Sequence, residues 1–329
     1  MKLKSFYKQM DEWTRLKTPY LFILDFEKQY PIIEQLSDLE SANSKIKYSF
    51  PHCSNENNVT NNPTSLAQFK IEKFPYSFDS YQSKFNKAQA LFIEKNVEVI
   101  NLTTPTPIKL ATSLDAIFNS AKAKYKVLLQ DKFVCCTPEI FVRIDENKMI
   151  STYPMKGTID ANIPDAAHLI LNNPKEEREH LATVELLKRE LGHVAENVSV
   201  PRFRYIDRLT TSNKNLLQVS SEVRGKLKEE YQNAFGKLFE FLLPAGSIVG
   251  TPKKEALEII KEVEGYTRGY YTGVCGVYDG KTLDSCVLIR LIEKEGEDYY
   301  YKSGGGITSE SIALNEYEEI KDKIYVPLD

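Results

Sequence analysis

The apolar positions of this chain change their period as the chain advances. Residues 19–27, PYLFILDFE, hold a clear apolar run of strand length, the pattern of a buried strand. The polar stretch 51–65, PHCSNENNVTNNPTS, is rich in asparagine and predicts a loop. From about Ser80 the elements lengthen. Residues 81–96 predict a helix, 97–103 (VEVINLT) a strand, and 126–144 (KVLLQDKFVCCTPEIFVRI) a hairpin or strand pair. Asn173-Pro174 opens a strong helix, with Asn173 as N-cap, Pro174 in the first helical position and Glu176 at capping-box spacing. Leu181, Val184, Leu187 and Leu191 make its apolar stripe, and Gly192 marks its end. Another helix begins at Thr251-Pro252 and stops near Gly265. An antiparallel meander follows: YYTGVCGVY, a turn at Asp279-Gly280, TLDSCVLIRLI and DYYYKS. The run SGGGIT (303–308) leads into a last helix, ESIALNEYEEIKDKI. Helices separated by hairpins, rather than strict strand–helix alternation, predict an α+β fold.

Composition removes several classes of function. The 329 residues are 42% hydrophobic and 27% charged, as in an ordinary globular protein with one large core or two smaller ones. The net charge of −3 offers no basic field for nucleic acid. Five scattered cysteines without CxxC spacing suit reduced thiols and a cytoplasmic location. The N-terminus, MKLKSFYKQMDEW, lacks a signal-peptide core, and no apolar run reaches membrane-spanning length.

Several features carry candidate chemistry. In STYPMKGTIDA (151–161), Pro154 holds the preceding residue extended and Gly157 permits a positive φ. A strand and then a turn are expected, with Lys156 at the strand end. Such a lysine is either a solvated loop residue or one that faces a cleft. Two helices each place glutamates three apart: Glu176 and Glu179, then Glu316 and Glu319. Like charges on one helix face repel, so the spacing suits a cation between them, and carboxylate oxygens with waters suit Mg²⁺. Two solvated acidic faces would give the same pattern. In the last helix Ala313, Glu316, Ile320 and Ile324 share a stripe, and a carboxylate there needs a partner. Gly304, Gly305 and Gly306 could present N–H groups to a carboxylate or form a plain connector. Arg290 interrupts an apolar strand, where its planar fork either pairs with a buried acid or faces a ligand. Tyr271 offers a hydroxyl beside a glycine corner, and His180, next to Glu179, is placed to support it.

Eight blocks occur in a fixed order: TYPMKGT, EEREHLATVELLKRELG, SVPRF, PAGSIVGTPKKEALEII, RGYYTGVCG, IRL, SGGGIT and EYEE. From about Ser80 to its end the chain resembles the chorismate-utilising enzymes, a family that includes anthranilate, isochorismate, salicylate and aminodeoxychorismate synthases. The resemblance implies two large antiparallel β-sheets packed face to face with helices outside. It divides the chain into an N-terminal segment, 1–79, adding strands to the sheet, and a chorismate-binding catalytic region, 80–329. It implies that Glu176, Glu179, Glu316 and Glu319 hold Mg²⁺ against one substrate carboxylate. Thr158, Tyr271, Arg290 and the Gly304–Gly306 backbone would then bind the substrate, whose other carboxylate the last three hold.

Three positions separate the family's activities. Lys156 stands where aminodeoxychorismate synthases carry a lysine that attacks ring carbon C2, and where anthranilate synthases carry a small residue. Val99 stands where isochorismate and salicylate synthases carry a water-activating lysine. Gln218 stands where many anthranilate-forming members have histidine. The resemblance therefore implies conversion of chorismate and ammonia to 4-amino-4-deoxychorismate, for p-aminobenzoate and folate synthesis. A glutamine amidotransferase subunit would supply the ammonia. Anthranilate formation, or a chorismate-binding regulatory subunit without turnover, remains the alternative. The segment before Ser80 holds no tryptophan-inhibition motif, so feedback by tryptophan is not expected.

Overall fold

The structure, a computed structural model, describes residues 1–41, 44–56, 69–210 and 215–328, the side chains of 209 and 210 excepted. The first part of the chain forms α1 (Leu3–Leu16), β1 (Tyr20–Leu24), β2 (Ile32–Gln35), α2 (Leu36–Leu39), β3 (Ile46–Phe50), β4 (Cys53–Ser54), β5 (Ile71–Lys73), α3 (Phe78–Lys95) and β6 (Val99–Leu110). Next come α4 (Leu114–Ser120), β7 (Tyr125–Leu129), β8 (Phe133–Thr137), β9 (Ile140–Ile144), β10 (Met149–Thr152), β11 (Met155–Asp160), α5 (Ala166–Leu171) and α6 (Pro174–Val194). The rest forms β12 (Ala195–Thr210), β13 (Asn215–Leu227), α7 (Phe235–Leu242), β14 (Gly250–Thr251), α8 (Lys253–Val263), β15 (Val274–Tyr278), β16 (Leu283–Val287), β17 (Leu291–Glu295), β18 (Asp298–Thr308) and α9 (Ala313–Asp322).

These strands make two nine-stranded sheets among the described residues. The first runs β11-β13-β10-β9-β16-β15-β1-β2, with β12 beside β13. The second runs β14-β6-β18-β17-β8-β7-β3-β4, with β5 beside β6. The period-2 geometry of a strand explains how they pack. In β1 all five residues are buried. Leu21 and Ile23 meet Tyr48, Tyr125, Phe133 and Cys135 of the other sheet, while Tyr20, Phe22 and Leu24 turn to the outer helices. In β8, Phe133 and Cys135 face the space between sheets, and Val134 and Cys136 pack under α4. The fold is therefore two antiparallel sheets face to face with helices outside, as expected. Residues before Ser80 contribute β1 and β2 to one sheet and β3 to β5 to the other. All five cysteines are free. Among the described residues, no helix is long and apolar enough to cross a membrane.

Local readings fared unevenly. Asn173 caps α6, its side chain accepting from the N–H groups of Lys175 and Glu176. That helix passes Gly192 and ends at Val194, and Leu181 of its expected stripe is 47% exposed. Residues 126–144 hold parts of three strands, and β9 belongs to the other sheet. The stretch TLDSCVLIRLI is likewise two strands, β16 and β17, in different sheets. The chain does not turn after Lys156: β10 ends at Thr152, and β11 continues through Gly157, whose φ of +87° lies at a register shift against β13. SGGGIT is no connector but the end of β18, in register with β6 (Gly304↔Thr103, Gly306↔Asn101). The last helix is shorter than read, so Ile324 lies beyond it, although Ala313, Ile320 and Ile324 are all buried. Of the asparagine-rich stretch, Cys53 and Ser54 pair with β3. Its remainder from 57 lies outside the described residues.

Candidate active site

The chain crosses between the sheets at two adjacent places. One is Pro138–Glu139, between β8 and β9; the other is Leu288–Arg290, between β16 and β17. Each is tied to the other's strands: the Cys136 N–H donates to the Arg290 carbonyl at 3.1 Å, and the Val287 N–H to the Glu139 carbonyl at 3.1 Å. At such a crossing the ladder is interrupted, so backbone and side chains face open space. A cleft of about 340 Å³ opens there. Glu139, Lys156, Gln218, Tyr271, Arg290 and Glu319 all line it, and β18 forms a further wall.

Lys156 is half-buried. Its Nζ reaches to 3.5 Å from where a Cβ would stand on Gly306, across the cleft. Behind it, buried His180 ties α6 to β13: its Nε2 is 2.6 Å from Ser221 Oγ, and that oxygen also accepts from the Arg204 N–H. Burial, with the Arg204 charge, pushes His180 down to about 4, so it is neutral there. Thr158, exposed at the rim, pairs with Gln218 across the β11–β13 ladder.

The glycines act by lacking side chains. A Cβ on Gly304 would lie 2.6 Å from Thr103 Cγ2 and 2.7 Å from the Leu102 carbonyl oxygen, so only glycine lets β18 close on β6 here. Over Gly305 side chains of α9 and of Lys323 just after it approach: Glu316 Oε2 would lie 3.4 Å, and Glu319 Oε1 and Lys323 Nζ 3.7 Å, from a Cβ. β17 pairs with β18 only as far as Lys302, so beyond it one edge of β18 borders the cleft. Arg290, at φ +53°, donates from Nη1 to the Lys323 carbonyl at 2.7 Å and stacks over Tyr325. Lys323, which the sequence reading missed, donates to the Gly304 carbonyl at 2.8 Å and pairs with Glu319 at 2.6 Å. Tyr271 is buried in the wall; burial pushes its phenol well up, against the opposing charges of Arg268 and Arg290.

The four glutamates stand on two helices, Glu176 and Glu179 on α6 and Glu316 and Glu319 on α9, and of these Glu319 lines the cleft. Glu176 Oε2 lies 3.0 Å from a Cβ position on Gly157. Burial, then the neighbouring Glu179 charge, raises its carboxyl above the usual range. Burial, then Glu319, does the same to Glu316. Burial works on Glu319 too, but the Lys323 ammonium and Lys156 bring it below the usual range. Glu179 sits on the solvent side and pairs with Lys175 at 3.7 Å. Among the described residues no three acidic, histidine or cysteine groups converge closely enough to chelate a metal. The donor set is nevertheless hard oxygen whose carboxylates repel one another, which fits an open, water-completed Mg²⁺ site better than a closed cage.

Glu139 is the residue the sequence reading missed outright. Burial raises its carboxyl, against the Ser247 hydrogen bond at 3.2 Å and the charges of Lys156, Lys323 and Arg290. A carboxyl shifted upward by burial and set among cations is suited to proton transfer during a reaction. Its position inside an apparent strand pair, TPEIF, gave no hint that it lies at a sheet crossing.

The family model of chorismate binding enzymes matches residues 11–329. An uncharacterised PabA-like protein of Haemophilus influenzae is 44% identical over 99% of this chain and 98% of its own length. A second, from Pasteurella multocida, is 42% identical over the full length of both. The aminodeoxychorismate synthase component 1 of Bacillus subtilis is 27% identical over 76% of this chain and 55% of its own. The anthranilate synthase component 1 of Saccharomyces cerevisiae is 30% identical over 68% and 44%. Among solved structures, an isochorismate synthase from Bacillus anthracis, described as putative, superposes with a TM-score of 0.69 at 20% identity, covering 98% of this chain and 87% of its own. MenF, the menaquinone-specific isochorismate synthase of Escherichia coli, gives 0.70 at 17%, over 97% and 80%. At those identities the likeness shows the fold alone. By the family match and the full-length relatives, this chain belongs to the chorismate-binding enzymes.

Proposed function

We propose that the cleft converts chorismate and ammonia to 4-amino-4-deoxychorismate and water, with Lys156 as the covalent nucleophile. The observation that carries this reading is the Lys156 amine, aimed across the cleft at the glycine strand with Glu139 among the groups around it. A lysine amine attacks only when unprotonated, so a neighbouring carboxylate must take its proton. Its lone pair forms a bond to ring carbon C2, both ring double bonds shift, and the C4 hydroxyl leaves. Glu139, as a carboxylic acid, gives that hydroxyl a proton. Ammonia then bonds to C4, the double bonds shift back, and the Lys156 nitrogen leaves C2. Holding the amine near the ring provides the proximity advantage of an intramolecular attack.

Arg290, Tyr271 and the open edge of β18 line the cleft and would hold a substrate carboxylate. Glu176, Glu179, Glu316 and Glu319 would hold Mg²⁺, which supplies positive charge to the other carboxylate. Val99 offers no base for water, and Gln218 no group to shuttle a proton in pyruvate loss. Ammonia would come from a separate glutamine amidotransferase: burial raises the thiols of all five cysteines, opposite to what a glutaminase nucleophile needs. The relative named aminodeoxychorismate synthase supports the reading.

Anthranilate formation is the second reading, which the anthranilate synthases at 30–32% identity favour. Incubation with chorismate, Mg²⁺ and ammonium, with products separated by mass spectrometry, decides. A product that keeps the enolpyruvyl group and carries nitrogen at C4 is expected. Anthranilate or isochorismate as the main product would overturn the reading.

A further inference from the structure

A second cavity, of about 160 Å³, lies on the outer face of the second sheet, between α3 and α9 over β6. Its walls hold an unusual density of hydroxyls: Tyr76, Ser80, Tyr81, Thr104, Thr106 and Tyr317. Two of these have no use in the fold. Tyr81 is 4% exposed and Thr106 0%, yet among the described residues Tyr81 Oη and Thr106 Oγ1 have no hydrogen-bond partner. A buried hydroxyl without a partner is costly, and an apolar residue of the same shape would avoid the cost. The two orphans line one cavity and are joined there by tyrosine rings, which is the composition of a binding pocket rather than of a packing defect.

Chemistry and size restrict the occupant. Binding sites for drug-sized ligands usually span about 300–1,000 Å³, so this volume suits a ligand of one ring. Tyr76, Tyr81 and Tyr317 supply aromatic walls. Cationic groups stand around it: Lys84, whose Nζ spends one hydrogen bond on the Glu264 carbonyl at 2.7 Å, and Lys321, paired with the half-exposed Glu318 at 2.8 Å. Ser80 and Tyr81 also lie in the first turn of the 18-residue α3, whose N-terminal end carries positive potential.

The cavity also touches the catalytic machinery indirectly. Tyr317, Ile320 and Lys321 of α9 line it. Glu319, one turn of the same helix, faces the cleft, as does Lys323 just beyond it. Tyr317 Oη fastens α9 by donating to the Tyr76 carbonyl at 2.7 Å. We propose that the α3–α9 cavity is a binding site for a small aromatic carboxylate, distinct from the cleft, whose occupancy is felt by the catalytic residues through α9.

The probe is 4-fluorobenzoate, followed by ¹⁹F NMR on the full chain. Saturating chorismate without ammonium removes any probe bound in the cleft, so the binding arm of the test needs no turnover and stands apart from the product assay. Expected is a bound fraction that survives chorismate. Ser80→Trp, which blocks the mouth from an exposed position, should abolish it. Thr106→Val, nearly isosteric, should weaken it about tenfold. Both variants should keep the wild-type circular dichroism spectrum. Bound probe should also shift the chorismate KM of the wild type and leave that of Ser80→Trp unchanged. No binding beyond the chorismate-sensitive fraction would overturn the proposal, leaving the cavity to water. Equal binding of neutral 4-fluorobenzamide would overturn the carboxylate assignment, and an unaltered KM at full occupancy would overturn the coupling through α9.

Discussion

Two groups of charge lie beside β6, and they are built on opposite rules. In one, Glu264 and Arg268 are almost wholly buried, at 2% and 1% exposure. The hydrogen bonds there are well supplied: Glu264 accepts from the Thr103 N–H and hydroxyl and from two Arg268 nitrogens, and Arg268 also donates to the carbonyls of Asn101 and Ile248 and to the Thr272 hydroxyl. In the cleft, carboxylates instead face carboxylates, and burial raises Glu139, Glu176 and Glu316. A closed pair fixes the fold; an open collection of like charges stores a demand that a ligand can meet. The comparison teaches that burial alone does not distinguish structural from functional charge. Saturation of the hydrogen bonds does.

The contrast can be broken at either end. Glu319→Gln, or removal of divalent cations with EDTA, should cost about a thousandfold or more in turnover while the thermal midpoint stays near that of the wild type. Full activity in excess EDTA would remove the metal from the account. Glu139→Gln should lower turnover by about a hundredfold or more, chiefly in kcat, because the proton donor is lost while chorismate still binds. A change confined to KM would make Glu139 a binding group. At the closed pair the readouts reverse. Glu264→Ala leaves a buried guanidinium unpaired and should cost about 3–5 kcal/mol in urea unfolding. Stability within about 0.5 kcal/mol of wild type would show that the pair is not the structural one.

The smallest effect concerns a surface carboxylate. At the β15–β16 turn, burial works to raise Asp279, but donors from the Thr282 and Lys281 N–H groups and the Thr282 hydroxyl hold it below its usual range. A depressed carboxyl stabilises above its unfolded value near pH 4 and loses that contribution as pH falls through the folded value. The urea midpoint gap between the wild type and Asp279→Asn should therefore shrink from pH 7 to pH 3. A gap independent of pH would contradict it.

The sequence disclosed whatever is local. Asn173 capped its helix, Asp279-Gly280 made its turn, and the apolar run at residues 20–24 became a strand buried on both faces. The ordered motifs disclosed the fold and most of the cleft. What stayed hidden was long-range. A strand that leaves one sheet for another looks continuous in sequence, so Glu139 and Arg290 were read as strand interior, although both stand at crossings pinned by single backbone hydrogen bonds. The glycines read as a loop because their extended pairing with β6 depends on residues some 200 positions earlier, where Thr103 leaves no room for a side chain. Lys323 gave no signal because its partner, the Gly304 carbonyl, is part of the backbone.

The central claim is that Lys156 bonds to the ring. Wild-type protein mixed with chorismate and Mg²⁺, with ammonia rigorously excluded, should be quenched in acid, digested and mapped by mass spectrometry, with Lys156→Ala beside it. The account expects a chorismate-derived adduct on the peptide bearing Lys156, its release as 4-amino-4-deoxychorismate when ammonium is added before the quench, and neither adduct nor turnover in the alanine variant. Unmodified peptide together with an alanine variant that aminates chorismate at the wild-type rate would contradict it.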